Sequence, residues 1–463
     1  MSFSDDLGPI RMRRVALIAP SNLLRATLIE VAAAGTVQLD SPEPADHPRP
    51  NTPSSAGAVT PVVSAREPDL AELERTGRAD LLAGEAELRS RLTGAVRRQD
   101  VRALAGWCPQ PELATLTTRL AALGAAVVEL PTPSGIDPPT LLAGARPMRR
   151  AFAPLLRTYG TVPYRDIDPT IAAGIAYIVM FGMMFGDAGH GALLLAGAAL
   201  LRFGRMRRLA RLRQLWPFVA GAGATATCFG VLFGEFFGPT GVLPVVWLAP
   251  LDQPLPLLGT AVAVGAVLLA VSYGIGATNR WREGGLRLAL YSGTGIAGAT
   301  TFLGLGVVAA GAVTHIAAVI IAGTTVTALG VTLSAIGTFT ESGGGATGVA
   351  QAGIGIFDLL VRLGSNVVSF ARLAAFGMTH AALGWVVWTG TIAAAGTGRV
   401  GPVLAVIVFL AGNVVAFALE ALVAGVQALR LEFYELFSRV FVEEGRPFEP
   451  WLIRIENSEV DPW

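Results

Sequence analysis

From Ile171 onward, apolar runs of roughly 20 residues follow one another, enough each to cross a bilayer. Nothing else in the chain restricts its fold so much. Inside a bilayer every backbone N–H and C=O must find a partner within the protein, so each run has to be helix. About eight spans are expected, near 170–186, 189–203, 215–237, 255–277, 287–310, 316–338, 355–392 and 401–431. Composition agrees. Of 463 residues 52% are hydrophobic and only 15% are charged, against about a quarter charged in a soluble domain. The expected class is therefore mainly α, a polytopic membrane protein whose last two helices are long, preceded by a small α/β cytoplasmic domain. The division is 1–168 for the soluble part and 169–463 for the membrane part with its C-terminal tail.

The soluble part has its own signals. RRVALIAP (13–20) reads as a strand, and Ser21 is placed to cap a helix through Ala34. TVQLD (36–40) gives a second strand. SPEPADHPRPNTPSSAG reads as a flexible linker. Residues 67–104, rich in Glu, Arg, Leu and Ala, read as one or two solvated helices, and 111–130 as a helix and a strand. The N-terminus lacks the apolar core of a signal peptide, so it is expected to stay in the cytoplasm. The basic stretches RFGRMRRLARLR (202–213) and NRWREGGLR (279–287) fall on that same side, and GPTGVLPVVWLAPLDQP (238–254), without a basic residue, on the other. An even number of spans returns the C-terminal tail to the cytoplasm.

Net charge is +1, which gives no polyelectrolyte character for nucleic acid. Cys108 and Cys228 fall in different parts of the chain, against a disulfide framework. No GxxxxGK[ST] loop is present, so the chain is not expected to bind ATP or act as an enzyme by itself. No cofactor and no metal is implied.

The unusual residues are polar and lie inside the apolar spans. Asp358, Arg362, Asn366, Ser369 and Arg372 follow at steps of four, four, three and three, which line one helix face. His380 lies two turns beyond Arg372. In the next span Asn413, Glu420 and Gln427 recur at seven-residue steps, with Arg430 turned roughly 60° away. A charge at mid-bilayer costs about 2.5–3.5 kcal/mol, so such residues face a cavity or pair with one another. One reading is a structural ion pair of Arg372 with Glu420, with Arg362 and Arg430 snorkelling and Asp358 solvated at a membrane edge. The other is a water-accessible path. Arginine does not deprotonate, so it cannot carry a proton; it can lower the proton affinity of a carboxylate brought beside it. His380 and Glu420 can titrate. The chain offers no carboxylate that obviously moves, so a partner must bring it.

FGMMFGDAGHGALL (181–194), SNVVSFARLAAFGMTHAAL (365–383) and EALVAGVQALRLEFYELFSRVFVEEGRPFEPW (420–451) resemble the membrane subunit of rotary V-type and A-type ATPases, called subunit a or subunit I. GWCPQPEL (106–113), PPTLL (138–142) and the segment 159–170 fit the family's soluble part. The resemblance implies a ring of proteolipid c/K-type subunits that carries buried carboxylates past Arg372, with Arg430 as a second basic partner. It places His380 and Glu420 in the non-cytoplasmic half-channel, tilts the last two helices against the ring, and implies central-stalk and peripheral-stalk partners. Ser369, Asn366, Gln427 and Asp358 are further candidates for the path. Asp187 and His190, in the Gly-Asp-Ala-Gly-His turn, fit a structural turn better than conduction, since Asp can cap the following helix. Glu235, near a span end, is either a channel carboxylate or an interface residue. The helical arm of the family's soluble part is cut down in this sequence. A stand-alone ion-coupled transporter is the alternative reading, but no repeated halves are visible.

Overall fold

A computed structural model describes residues 8–40, 60–133, 135–142, 147–204, 212–441 and 445–456. The linker at 41–57 and much of the basic stretch at 202–213 lie outside the described residues. The chain forms two compact units. One is Ala143–Glu444 with Met1–Gly8; the other is Pro9–Leu142 with Gly445–Trp463. By contacts the N-terminal unit runs to Leu142 and includes the C-terminal tail.

In the N-terminal unit β1 (Met12–Pro20), β2 (Gln38–Leu39), β5 (Val101–Pro109) and β6 (Ala126–Leu130) form a sheet in the order β2-β5-β1-β6. All pairs are antiparallel, and Met12 stands opposite Pro109 at one end of the β1–β5 ladder. β4 (Val96–Arg98) extends β5 as a hairpin. Helices α1 (Leu24–Ala34) and α4 (Gln110–Ala122) join β1 to β2 and β5 to β6, a split β-α-β arrangement. Leu24, Leu28 and Val31 of α1 share a core with Leu116 and Leu120 of α4 and with Val15, Leu17 and Leu104 of the sheet. Their spacing of three and four on the helices and two on β1 is what places them on one side. Cys108 lies in this core, and burial pushes its thiol up to about 11, which makes it inert. Both cysteines are free.

Three details depart from the sequence reading. Ser21 does not cap α1; its hydroxyl donates to the Asp100 carbonyl at 3.0 Å, and the cap residue is Leu23. The stretch 67–104 is helical only in α2 (Leu70–Thr76) and α3 (Ala79–Gly94), because the strands that carry the β-branched Val96 and Val101 pair as a hairpin, Val96 opposite Ala103 and Val101 opposite Arg98. β3 (Val62–Ser64) pairs in parallel with β7 (Arg454–Glu456) from the tail. Around that pairing Trp451 is buried, donates its backbone N–H to Val37 at 2.8 Å and its indole N–H to Glu87 at 2.9 Å. On α3, Gly84 lets the helix sit on β3: a Cβ there would fall 2.0 Å from the Val62 carbonyl oxygen. Beside it Glu85, 1% exposed, takes a bidentate ion pair from Arg25 at 2.6 and 2.7 Å.

The membrane unit begins with α5 (Pro147–Tyr159). Then come α6 (Thr170–Met184), α7 (Ala188–Phe203), α8 (Trp216–Phe233), α9 (Pro254–Tyr291), α10 (Ile296–Thr314), α11 (Ala317–Glu341), α12 (Gly345–Ser369), α13 (Ala371–Ala395) and α14 (Gly401–Leu431). Among the described residues six helical stretches are long and apolar enough to cross a membrane, with α12 and α13 forming one of them. α6 and α7 are shorter apolar helices of 15 and 16 residues. Two boundaries move from those expected. α9 runs on past residue 277 through a distortion at Gly284 and Gly285 (φ 71°), so the following helix starts at Ile296 and not near 287. α12 starts at Gly345, because the small residues of GATGVAQAGIG carry little hydropathy yet still coil.

Before α6, Asp166 is fully buried and shares its surroundings with Glu283 of α9. Burial and that second carboxyl push it up to about 8. The folded state therefore holds a proton that the unfolded chain loses near the ordinary value of 3.8, and stability falls as pH rises between the two. Asp166→Asn is expected to raise the melting temperature in detergent near pH 8 and to leave it unchanged near pH 3.8. An equal effect at both ends would show that the carboxyl is not held protonated.

Candidate functional site

The Gly-Asp-Ala-Gly-His turn joins α6 to α7. Asp187 caps α7, accepting from the His190 N–H at 2.8 Å. It also accepts from the backbone N–H groups of Phe237 at 3.0 Å and Gly238 at 2.6 Å, in the turn after α8. Ala188 donates to the Glu235 carbonyl at 2.9 Å, so the two turns are clasped together. Gly238 has φ of 89°, and a Cβ there would stand 2.8 Å from the backbone of Gly384. That close approach brings α13 against the clasp. His380, one turn before Gly384, then presents Nε2 to Asp187 Oδ2 at 3.8 Å. Its Nδ1 faces Glu420 of α14 in a short ion pair. His190 Nδ1 stands 3.9 Å from Asp187 Oδ1.

A buried cluster results. Asp187, His190, Glu235, His380 and Glu420 are all under 9% exposed, and Asn413 borders them. Glu235 is 2% exposed, with His380, Asp187 and Glu420 as its charged neighbours, so it lies with this group. Phe185, Phe237 and Phe417 wall the two imidazoles at ring separations of 5.1 to 5.6 Å. Three carboxylates and two imidazoles enclosed by aromatic rings form an arrangement that can exchange protons or hold a cation.

Arg372 does not pair with Glu420. It is half-buried near the start of α13, eight residues before His380, or about 12 Å along the helix. Its Nη1 has no hydrogen-bond partner among the described residues, and its charged neighbours are Arg430 and Glu435. Arg430 is exposed on α14, and Gln427 is half-buried there. Asp358 and Arg362 form an exposed ion pair on α12. Ser369 ends α12, where Phe370 interrupts the helix.

Asn366 leads to residues that the sequence reading did not single out. With its amide turned to suit its neighbours, it donates to Glu435 at 2.8 Å and accepts from Arg439 at 2.8 Å. Arg439 is 2% exposed and lies 5.4 Å from the centre of the Tyr273 ring. Glu432 is fully buried without a hydrogen-bond partner. Glu432, Glu435 and Arg439 stand at steps of three and four, a signal that was present in the sequence. They follow α14 through a π-helical stretch, Glu432–Phe437, which shifts the face they present.

Comparison with known proteins fits this arrangement. Residues 93–214 match the V-type ATPase 116kDa subunit family. The chain is 26% identical over 400 residues to the A-type ATP synthase subunit I of Thermococcus kodakarensis, covering 82% of this chain and 58% of that protein. It is 25% identical over 459 residues to the A-type ATP synthase subunit I of Pyrococcus horikoshii, covering 93% of this chain and 67% of that one. With the subunit I of Aeropyrum pernix the identity is 27% over 381 residues, 72% of this chain and 53% of that one. The chain thus spans between about half and two thirds of the length of these relatives. From its apolar helices and these matches together, the chain is a multi-pass membrane protein similar to the V-type ATPase 116kDa subunit family and to A-type ATP synthase subunit I.

Proposed function

We propose that the chain is the stationary ion-translocating subunit of a rotary V/A-type ATPase, working against a rotating ring of proteolipid c/K-type subunits. One observation carries this reading: His380, paired with Glu420 of α14, and Arg372, whose Nη1 has no partner among the described residues, lie on one helix two turns apart. A carboxyl moving through lipid keeps its proton, because desolvation disfavours the charged form. Beside Arg372 it gives the proton up. The cluster of His380, Glu420, Asp187, His190 and Glu235 accepts or supplies it on the non-cytoplasmic side. Asp358, Asn366 and Ser369 on α12, with Gln427 on α14, serve the path on the two sides of Arg372, and Arg430 adds a second fixed charge. The outward faces of α13 and α14 suit a lipid or ring contact, since Trp385, Val386, Leu422 and Val426 are all more than half exposed. The termini and the N-terminal unit lie in the cytoplasm, where central-stalk and peripheral-stalk subunits couple the ion flow to ATP.

The test is ATP-driven acidification of inverted vesicles carrying the complex. Glu420→Gln keeps the size of the side chain and removes its charge. It is expected to slow acidification on the order of 100-fold, the worth of a positioned proton-transfer group. Full acidification with Glu420→Gln in an assembled complex would remove the cluster from the path.

A further inference from the structure

Asp187, His190 and His380 offer one carboxylate oxygen and two ring nitrogens that all lie within 4.8 Å of one another, each side chain buried. Neither ring nitrogen of His190 meets a hydrogen-bond partner of good geometry, Asn413 being its polar neighbour. At 2% exposure that is an unusual way to bury an imidazole, since a buried polar group ordinarily finds a partner. Asp187 is held by three backbone N–H groups, with Oδ1 taking two of them and Oδ2 one. Oδ2 therefore keeps a lone pair toward His380 Nε2.

We propose that Asp187, His190 and His380 form a binding site for a divalent transition-metal ion of the zinc class, and that its occupancy closes the ion path. Ligand type favours that class: two imidazoles and one carboxylate suit zinc, whereas calcium and magnesium take oxygen ligands. Charge favours it too, since Asp187, Glu235 and Glu420 bring three carboxylates into one apolar pocket. Tetrahedral zinc sets its ligand atoms about 3.3 Å apart, at metal–ligand distances of about 2.0–2.1 Å. His190 Nδ1 stands 3.9 Å from Asp187 Oδ1 and His380 Nε2 3.8 Å from Oδ2, so the imidazoles must turn inward for both to share an ion with this carboxylate. Glu420 stays on the far nitrogen of His380, where it orients the ring as an outer partner. An ion held there occupies His380 Nε2 and Asp187 Oδ2 together, so the two groups no longer face one another across the path. The closing effect rests on the function proposed above; the binding does not.

Cobalt(II) titrated into the purified chain in detergent is the probe. A visible ligand-field band saturating at one ion per chain is expected, and Zn2+ should remove it stoichiometrically. His190→Ala should weaken binding on the order of 100-fold. His190→Cys keeps a ligand and should add a thiolate-to-cobalt charge-transfer band in the near ultraviolet, which a misfolded variant would not give. No band with the native chain overturns the site, as does a band that His190→Ala leaves unchanged. In vesicles, Zn2+ should stop acidification by the native complex. Undiminished acidification at a zinc concentration that fully displaces cobalt overturns the closing effect, and that outcome is separate from any failure of Glu420→Gln.

Discussion

Arg372→Gln is expected to abolish ATP-driven acidification while the complex still assembles. A positive charge within about 4–6 Å lowers a carboxyl by 1–3 pKa units, which is roughly 10- to 1000-fold in the fraction ionised. Glutamine keeps the polarity and loses that charge, so the partner carboxyl holds its ion and the cycle stops. Arginine is suited to the place because it stays charged at every working pH. Glu420 pairs with His380 instead, and Nη1 of Arg372 has no hydrogen-bond partner among the described residues. A merely structural arginine would be saturated by its neighbours. Acidification of inverted vesicles, with assembly checked on a native gel, decides the matter. Native-like pumping by Arg372→Gln would make Arg372 a structural charge after all.

The second large effect concerns stability. Trp451→Ala is expected to destabilise the N-terminal unit by about 3–5 kcal/mol, the usual cost of emptying a buried aromatic site. A domain of this size has about 5–15 kcal/mol in hand, so the loss takes a large share of the total. Trp451 is 7% exposed and sits in the same core as Val37, Val63 and Leu88. Its removal also leaves Glu87 without the indole donor. The tail's Arg78–Glu456 ion pair, by contrast, is about 40% exposed at both ends and contributes little. Hydrogen exchange at the amides of β3 reads the result directly, because they pair with β7. Leu452→Ala, at a residue 69% exposed, serves as the control and should change stability by less than about 0.5 kcal/mol. Equal protection of β3 in both variants would mean that Trp451 does not hold the tail.

The helices of the membrane unit were legible because a bilayer leaves apolar sequence no other choice. Boundaries slipped where that signal fades, at the polar continuation of α9 through Arg280 and Glu283 and at the glycine-rich start of α12. His380 on α13 and Glu420 on α14 do face one another, but four of the five residues in the first polar stripe lie on α12, which ends before Phe370. The clasp was less visible. Nothing local in FGEFFG reveals that Glu235 turns inward, since its burial depends on Gly238 meeting Gly384, far along the chain. The same holds for Arg439, whose partners Asn366 and Tyr273 come from two other helices. The β3–β7 pairing was invisible for a related reason: Val62 and Arg454 are three-residue strands apart from any hairpin, and no short-range pattern couples them.

That pairing has a consequence for how the protein is made. Translation delivers β3 before the first membrane helix and β7 only after the last. The sheet domain at the front of the chain therefore stays unfinished throughout insertion, with the edge of Val62–Ser64 open and the place of Trp451 vacant. Contacts so distant in sequence are slow to form, and an open strand edge is a site for aggregation. A ribosome stalled just before Gly445 would leave the domain in that state, whereas release of the segment through Glu456 would complete it. Completion of this domain thus reports that every span has already been synthesised.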